Sequence, residues 1–503
     1  MGASTMAVNF IGCASKKDKP NLLFLWTDEQ RPDTMAVYGN HKIHALNLNK
    51  LAHDSVVFRN AYVSQPVCTP SRSTVMTGLW PHMNSCIENN IALPEDVLCL
   101  PEMINDPEYR TGYIGKWHLG DETYAQHGFT KWVSMEDGYW RFYREDKDVT
   151  HKSDYHYFLE DLGYKPDTER GTFSRGFAAR LPLEHCKPKF LENRACDFIR
   201  RNRNEPFILY VNFLEPHMPF YGPLDKEHDP ANIDLPLNFN DPLEEDEPLA
   251  YRIKRENFLQ NGYQEYDLKK DEDWRSLIAK YWGLVTQVDL SIGGILKTLE
   301  DLGLSENTII VFTSDHGDMM GSHHLLTKTV MYEESVKVPW LICYPKLSRK
   351  QNIIDAPVSH IDMMPTLLDL MKIRNDFQLP GQSLTDLINN KDEKVRDVFI
   401  QWHPSGNLLP GRNPAGRLKR SEKSDESYTR SMVTADGWKL CLRDHDKNQL
   451  YNLKNDPGET TNLYYNSNNY ELIRRLATRI FTWQEQVHDI PWLVQSLKEN
   501  MSL

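Results

Sequence analysis

The sequence lacks the features that mark a membrane-embedded or nucleic-acid-binding protein. After residue 20, no stretch approaches the roughly 20 consecutive apolar residues of a membrane-spanning helix. Lysine and arginine total 58 against 71 aspartates and glutamates, and the net charge of −13 argues against nucleic acid or an anionic membrane as the main partner. An anionic substrate would therefore need a local basic pocket within an acidic protein.

Cysteine is sparse and irregularly placed. The eight cysteines form no C-x-x-C pair and no metal-finger spacing, so no disulfide framework is indicated. With Cys13 and Cys68 set apart, six remain. We expect these to be free buried thiols, with one or two bridges as the alternative in an oxidising compartment. Internal repeats and low-complexity tracts are also absent from the sequence.

The first 20 residues differ from the rest of the chain. A mildly apolar stretch over residues 6–13 ends in Phe-Ile-Gly-Cys and is followed by a lysine-rich stretch. This ending resembles a bacterial lipoprotein signal with Cys13 as the acylated residue, although it lacks the basic start and the apolar run of about 7–15 residues. We expect residues 1–20 to be a leader remnant or linker of an exported, periplasmic or cell-surface bacterial lipoprotein. A disordered terminus is the alternative.

The middle of the chain shows the alternation typical of an α/β fold. Nearly continuous apolar runs, of the kind buried on both faces of a parallel sheet, predict strands over 21–26, 206–213, 308–313 and 339–344. Apolar residues from Leu284 to Leu299 follow helical spacing over 281–302, and Gly303 ends this predicted helix. Residues 225–275 are polar and poorly periodic, and we interpret them as an insertion or lid at the rim.

The rhythm of the sequence changes near residue 375. Short strands and a last helix are predicted over 398–402, 430–434, 438–442 and 470–487. Asp436-Gly437 between two of these strands is a strong hairpin signal. We therefore predict a catalytic domain over 21–375 and a smaller α+β subdomain, with an antiparallel sheet, over 376–503.

Acidic and imidazole side chains follow two of the predicted strands. Asp28 and Glu29 come after the first strand, and Asp315 and His316 come after the strand at 308–313. Ligands bind outside the carboxyl ends of strands in open α/β sheets, so the four side chains are placed to converge. Such a set suits one hard divalent cation, calcium or magnesium. Taken singly, each pair would be an ordinary cap or surface turn.

A third element of chemical interest lies at residues 66–78. Pro70 predicts a turn carrying Cys68, followed by a helix with Ser71 and Arg72 in its first turn. A helix N-terminus offers unpaired N–H groups and a positive dipole end, which favour an anion or a thiolate. The alternative is a buried cysteine beside an ordinary helix cap.

Two motifs in this chain resemble signatures of the sulfatase family. The segment Cys68–Arg72 is similar to Cys-x-Pro-Ser-Arg, and the segment Gly115–Gly120 is similar to Gly-Lys-x-His-Leu-Gly. The resemblance implies an alkaline-phosphatase-like α/β fold with a large, mixed, mostly parallel sheet flanked by helices. It also implies that a sulfatase-maturing enzyme oxidises Cys68 to formylglycine, whose hydrated aldehyde is the nucleophile.

The resemblance further implies a role for each matching residue. Metal binding is carried onto Asp28, Glu29, Asp315, His316 and the formylglycine at position 68, with calcium expected ahead of magnesium. The resemblance assigns Arg72, Lys116 and Lys328 to holding the formylglycine and the charge of the sulfate. His217 is expected to be the general acid and His118 the base that regenerates the aldehyde, and the two assignments are interchangeable.

The expected activity is hydrolysis of a sulfuric ester, with removal of O-sulfate from a carbohydrate. The alternatives are an arylsulfatase, a phosphonate or phosphodiester hydrolase of the same superfamily, and a metal-dependent binder without catalysis. A basic loop after β-strand residues 398–402 follows His403 and contains Arg412 and Arg417. We expect these three residues to contact the sugar, with a mobile solvated loop as the alternative.

Overall fold

The computed structural model describes residues 19–389, 396–404 and 427–501. The expectations for Cys13, Arg412 and Arg417 therefore fall outside the described residues. Within the described ranges, no helix combines the length and the apolar character that crossing a membrane would require.

A large sheet organises the first three quarters of the chain. Its strands are β1 (Asn21–Asp28), β2 (Val56–Tyr62), β3 (Arg110–Gly115), β4 (Lys131–Val133), β5 (Phe207–Pro216), β6 (Thr308–Ser314), β7 (Lys337–Cys343), β8 (Asn352–Ile354) and β9 (Val358–Ser359). They run in the order β4-β3-β5-β1-β6-β7-β2-β8, and β9 also pairs with β2. Only β7 is antiparallel to its neighbours among these described strands, which confirms the predicted mixed, mostly parallel sheet.

Strand β1 lies at the centre of this sheet because both of its faces are apolar. Leu23 and Leu25 point into one hydrophobic cluster, whereas Phe24 and Trp26 point into the other. All eight residues of the strand are buried. Each large apolar side chain removed from water in this way contributes about 1.5–3 kcal/mol, so the strand is held firmly between two layers.

The described residues also form helices, several of which cover the two faces of this sheet. They are α1 (Leu46–His53), α2 (Cys68–Thr77), α3 (Pro81–Asn84), α4 (Leu100–Ile104), α5 (Asp154–Asp161), α6 (Arg175–Ala178), α7 (Lys187–Arg201), α8 (Leu249–Asn261), α9 (Asp271–Asp301), α10 (Glu333–Val336), α11 (Met363–Leu370), α12 (Thr385–Ile388), α13 (Tyr470–Gln486) and α14 (Pro491–Asn500). Residues of α7 and α9 share the cluster of Leu23, and residues of α2 and α11 share that of Phe24.

A second, antiparallel sheet lies near the C-terminus, as predicted. It consists of β10 (Val398–Trp402), β11 (Thr429–Val433), β12 (Trp438–Arg443) and β13 (Gln449–Asn452) in sequential order. The Asp436-Gly437 turn joins β11 to β12, with Gly437 at φ 88°. Apolar residues of α13 and α14 pack against this sheet. The division into domains at residue 375 stays a prediction.

The polar segment at 225–275 contains a helix that its sequence did not reveal. Helix α8 buries only Tyr251, so it has no apolar face of helical period. It is held instead by polar contacts: the Tyr251 hydroxyl accepts from Met331 N–H at 2.8 Å, and Lys254 Nζ donates to Thr329 Oγ1 at 2.9 Å. Helix α9 also begins earlier than expected, at Asp271 rather than at residue 281, with three acidic residues in its first turn that suit the helix dipole.

Candidate active site

Four side chains from three separate segments meet where β1 and β6 end. Asp28 ends β1, Asp315 and His316 follow β6, and Cys68 begins α2. Their ligand atoms all lie within 4.8 Å of one another, and all four residues are buried. The adjacent parallel strands β1 and β6, with Thr27 beside Ser314, bring the two strand ends to one place. Of the four side chains expected to converge, Asp28, Asp315 and His316 lie together here with Cys68, whereas Glu29 belongs to a neighbouring group.

Distances within this cluster suit a shared ligand. Cys68 Sγ lies 3.3 Å from His316 Nε2 and 3.9 Å from Asp28 Oδ1. His316 Nε2 lies 3.6 Å from Asp315 Oδ1. The other ring nitrogen, His316 Nδ1, is 2.9 Å from the carbonyl oxygen of Gly317. The contact with that carbonyl turns Nε2 toward the cluster, and Nε2 is the nitrogen that would bind a metal.

Arg72 fixes the two aspartates of the cluster. Its Nε lies 2.9 Å from Asp315 Oδ2 and its Nη2 lies 2.9 Å from Asp28 Oδ2. Nη1 donates to the carbonyl oxygen of Lys116 at 3.0 Å, and the guanidinium lies 4.7 Å from the centre of the Trp26 ring. Each nitrogen of the guanidinium therefore donates to a protein acceptor, and Arg72 orients the two acidic residues. Its contact with a sulfate stays a prediction.

Helix α2 begins at Cys68 itself rather than after a turn that carries it. Val67 is the capping residue, and Ser71 N–H donates to the Val67 carbonyl at 3.1 Å, so Pro70 lies within the first turn. Cys68 is 1% exposed. Burial, together with the charge of Asp28, raises the pKa of its thiol. The helix start therefore does not produce the thiolate that a dipole argument alone favours.

Glu29 lies beside this cluster in a second group that shares Asp28. Ligand atoms of Asp28, Glu29 and His217 lie within 4.8 Å of one another. Lys328 Nζ donates to Glu29 Oε1, and Glu29 Oε2 is buried without a hydrogen-bond partner. Glu29 also has a positive φ of 65°, a conformation that costs a non-glycine residue about 1–3 kcal/mol and is concentrated at functional sites.

Two histidines flank these groups. His217 Nδ1 is 2.7 Å from the Met218 carbonyl, and its Nε2 is 3.8 Å from Glu29 Oε1. His118 Nε2 is 3.3 Å from Asn90 Oδ1, whereas its Nδ1 is buried without a partner. Burial lowers the pKa of His217 to about 3, and burial with the nearby Lys116 and Arg72 charges lowers the pKa of His118. In both rings the buried surroundings favour the neutral form.

Lys116 reaches the site from the end of β3 through a turn that only glycine fits. Gly115 has a φ of 110°, and a Cβ atom there would lie 2.0 Å from the carbonyl oxygen of Asn212. The Lys116 ammonium donates to Asp28 Oδ2 and is fully buried. The tight turn thus directs a cation into the acidic cluster, which explains the glycine before the lysine.

Several residues of this region carried no signal in the sequence. Glu122 accepts from Trp117 N–H at 2.9 Å and from His118 N–H, and it thereby holds the loop of the second motif. The Asn212 amide is buried beside Gly115 with neither its oxygen nor its nitrogen hydrogen-bonded. Single acidic or amide residues of this kind have no distinctive spacing. Only the fold shows what they contact.

His403 lies in a closed environment. It is 1% exposed, its Nδ1 is 3.0 Å from Gln65 Oε1, and its Nε2 is 3.0 Å from Arg430 Nη2. Arg430 in turn pairs with Asp489 through Nε at 2.6 Å. Contact between His403 and a sugar stays a prediction, and this environment offers no open edge of the ring for it.

Comparison with known proteins identifies the family. The sulfatase family model matches residues 20–373. An arylsulfatase of Clostridium perfringens is 30% identical over 475 residues, which cover 90% of this chain and 92% of that protein. An ulvan-active sulfatase of Formosa agariphila is 29% identical over 393 residues, which cover 76% of this chain and 68% of that protein.

Solved structures agree on the fold. A phosphonate monoester hydrolase from Silicibacter pomeroyi superposes with a TM-score of 0.76 at 20% identity, over 93% of this chain and 96% of the other. A protein in complex with its substrate, D-glucosamine-2-N,6-O-disulfate, superposes with a TM-score of 0.70 at 20% identity, over 93% and 98% of the two chains. The family match spans both strand ends and both motifs described above, and the chain belongs to the sulfatase family of sulfuric ester hydrolases.

Proposed function

We propose that this protein removes an O-sulfate group from a carbohydrate, using a formylglycine formed from Cys68 and a bound divalent cation. The observation that supports the proposal is the meeting of Asp28, Cys68, Asp315 and His316 within 4.8 Å. Cationic side chains of Arg72 and Lys116 adjoin this group. The arrangement combines a position for a nucleophile with positive charge for an anionic ester.

The residues present fit a divalent cation. Two aspartates and one imidazole nitrogen face one another, and the unpartnered Glu29 Oε2 is a further buried acceptor nearby. We propose calcium ahead of magnesium because calcium accepts six to eight ligands in flexible geometry, whereas magnesium demands a nearly ideal octahedron. When bound, the cation would polarise a sulfate oxygen and lower the pKa of an attacking hydroxyl.

The chain fixes position 68 tightly, as a nucleophile requires. Thr69 N–H donates to Asn89 Oδ1 at 3.0 Å, and Thr69 Oγ1 donates to the His118 carbonyl at 2.7 Å. Ser71 Oγ donates to the Asp315 carbonyl. Formylglycine would supply the hydroxyl that attacks sulfur. Because these bonds anchor the residues on its C-terminal side, that hydroxyl would be held in one orientation relative to the acidic cluster.

Lys116 and Lys328 are the cations that we assign to the sulfate. Lys116 donates to Asp28 and Lys328 donates to Glu29, so each ammonium keeps donors that its carboxylate partner does not use. Arg72, in contrast, uses three of its five N–H groups on Asp315, Asp28 and the Lys116 carbonyl. Two ammonium groups therefore stabilise charge on the sulfuryl oxygens, and Arg72 holds the carboxylates that orient them.

His217 and His118 are the groups that we assign to proton transfer. Each is 9% exposed or less. His217 contacts a carbonyl through Nδ1 and His118 contacts an amide oxygen through Nε2, so the other ring nitrogen of each can take part in proton transfer. A neutral imidazole can take the proton that the attacking hydroxyl loses and deliver it to the leaving oxygen, and a second imidazole can take the hydroxyl proton whose loss regenerates the aldehyde. We assign His217 to the leaving alcohol and His118 to release of sulfate, and the opposite assignment is the alternative.

The decisive experiment compares substrates with matured enzyme. The protein would be produced together with a sulfatase-maturing enzyme, and the mass of the peptide containing residue 68 would show replacement of sulfur by a carbonyl oxygen. Matured protein would then be assayed on sulfated monosaccharides and oligosaccharides, an aryl sulfate and a phosphonate monoester. C68A, which cannot be matured, is the control. A sulfated sugar as the best substrate supports the proposal.

Two related activities are outcomes of the same assay. A relative at 30% identity is an arylsulfatase, and a structural neighbour is a phosphonate monoester hydrolase. Fastest turnover of the aryl sulfate or of the phosphonate would replace the carbohydrate sulfatase proposal with the corresponding activity. If Cys68 stays unmodified in protein from a host that has a sulfatase-maturing enzyme, and no ester is turned over, the result would favour a metal-dependent binding protein without catalysis.

We also propose that the protein is exported and lipid-anchored at Cys13, as the start of the sequence suggests. Expression of the full chain in a bacterium with radiolabelled palmitate tests this. Label in the wild type that is lost in C13S supports the anchor, and equal label in both contradicts it.

A further inference from the structure

A cavity of about 220 Å³ adjoins the two histidines of the candidate site. Its walls include Glu136, Tyr139, Tyr155, Phe173, Arg175 and Lys187. The Tyr139 ring centroid lies 6.0 Å from that of His118. Arg175 and Lys187 also line a narrow cleft together with His217. The cavity therefore shares Arg175 and Lys187 with the cleft of His217, and its wall residue Tyr139 packs near the His118 ring.

A buried carboxylate holds the cationic wall of this cavity in place. Arg175 Nε and Nη2 each donate to Glu136, at 2.7 Å, and Lys187 Nζ donates to the same carboxylate at 2.9 Å. The side chains of Glu136 and Lys187 are 5% and 6% exposed, whereas that of Arg175 is 33% exposed. The guanidinium is thus fixed along one edge. Among the described residues its Nη1 has no hydrogen-bond partner, so it can donate to a ligand.

Size and lining indicate what the cavity would hold. Pockets for drug-sized ligands measure about 300–1,000 Å³, so 220 Å³ suits one sugar ring rather than an oligosaccharide. Tyr155 and Phe173 give the walls apolar faces, and the Arg175 edge gives a fixed polar contact. The rest of the lining is mostly polar or charged, which suits a ligand that carries several hydroxyl groups.

We propose that this cavity binds the sugar ring that carries the scissile sulfate, and that Arg175 Nη1 donates to an oxygen of that ring. The inference rests on the proposed function, because the ring is then the leaving alcohol beside His217. The acceptor is a sugar oxygen, of a hydroxyl or of a second acidic group. Arg175 is thus a specificity-determining residue for the sugar, whereas an aryl sulfate would not use it.

The test compares two esters in two variants. R175K keeps a positive charge for Glu136 but lacks the second guanidinium edge, so it should fold while losing the sugar contact. A charge-assisted hydrogen bond of this kind is worth about a 10- to 100-fold change in kcat/KM. We expect that loss on a panel of monosulfated hexoses and hexosamines, and less than about threefold on 4-nitrophenyl sulfate. R180Q removes an exposed arginine five residues further along and should change neither ester.

The outcomes separate the two proposals. Equal losses on sugar and aryl esters, or no loss on either, would overturn the assignment of Arg175 while leaving the carbohydrate activity intact. Failure of the matured wild type to desulfate any sugar would instead overturn the proposed function, and this inference with it. Among the sugars, a larger loss of kcat/KM on those with a carboxylate or second sulfate identifies the acidic group as the acceptor. An equal loss on acidic and neutral sugars identifies a hydroxyl.

Discussion

The Arg72 guanidinium donates to the Asp315 carboxylate at 2.9 Å across 243 residues of sequence, and both side chains are fully buried. This pair joins the start of α2 to the end of β6. It places a charge in the interior that would be costly alone and is compensated only when the two segments meet. The site and the central sheet are therefore parts of one arrangement.

Removal of the arginine should destabilise the protein as well as inactivate it. In R72M, Asp28 and Asp315 lose their shared partner, and breaking such a buried pair costs about 3–5 kcal/mol. Urea unfolding followed by circular dichroism measures the free energy of unfolding. R59M, which removes an exposed arginine paired with Asp355, should cost less than about 1 kcal/mol. Equal costs for the two variants would show that the buried pair contributes nothing special.

Metal binding should stabilise the wild type and not a ligand variant. After treatment with a chelator, calcium at 100 times its dissociation constant should add about 2.7 kcal/mol to the free energy of unfolding. Magnesium at equal concentration should add less. D315N, which weakens a proposed ligand, should lose most of this gain in a thermal-shift titration. An equal rise in melting temperature for D315N and wild type would contradict the site.

Acid should weaken the protein through a buried histidine remote from the acidic cluster. Burial lowers the pKa of His360 in the folded state to about 3, from an ordinary value of 6.5. Between pH 6.5 and 3, His360 is therefore protonated in the unfolded chain but not in the folded chain. The free energy of unfolding is unaffected by this group above pH 6.5 and falls below it, by about 1.4 kcal/mol for each pH unit.

The variant H360Q isolates the contribution of His360 to this pH dependence, because wild type and variant share all the other buried histidines. Glutamine does not titrate, so the difference in unfolding free energy between wild type and H360Q should shrink as the pH falls from 7 to 5. H41Q, at an exposed position, should leave the pH dependence of the wild type unchanged. A constant difference between wild type and H360Q over this range would rule out the depressed pKa.

The turn before Lys116 offers a test with a matched glycine. Gly115 and Gly39 have almost the same φ, 110° and 108°, but an added Cβ meets the Asn212 carbonyl at 2.0 Å in the first case and nothing within 4 Å in the second. G39A should therefore cost about 1–2 kcal/mol for its backbone alone. G115A should cost clearly more and should abolish activity by displacing Lys116. Similar unfolding energies for both variants would contradict the close contact.

Strand ends and motifs were readable in the sequence because each is local. The apolar run of β1 predicted a central strand, and the position of Asp28 at its end predicted a place in the sheet crevice. In contrast, α8 was missed because it is held by polar contacts such as that of Tyr251, and no apolar period marks it. Apolar periodicity in the sequence predicts which strands and helices pack in layers. Contacts between polar residues have no such periodicity, so the sequence does not predict them.

Long-range pairs decided the remaining differences. The sequence shows His403 only as a residue before a basic loop, whereas in the structure Arg430 contacts its ring and itself pairs with Asp489. The Arg175 and Glu136 pair beside the histidines likewise carries no spacing that a sequence reader could recognise. Partners of buried charges are set by strand order and register, which one sequence without its fold does not reveal.

The sulfur of Cys68 lies sealed at the start of α2, with 1% of the residue exposed. An enzyme that oxidises this sulfur must reach it, and the folded protein does not expose it. The conversion that we propose must therefore happen first, on a nascent or still unravelled polypeptide, and folding second. A chain that folds before Cys68 is oxidised would be correctly folded but inactive. The yield of active protein therefore depends on the relative rates of oxidation and folding.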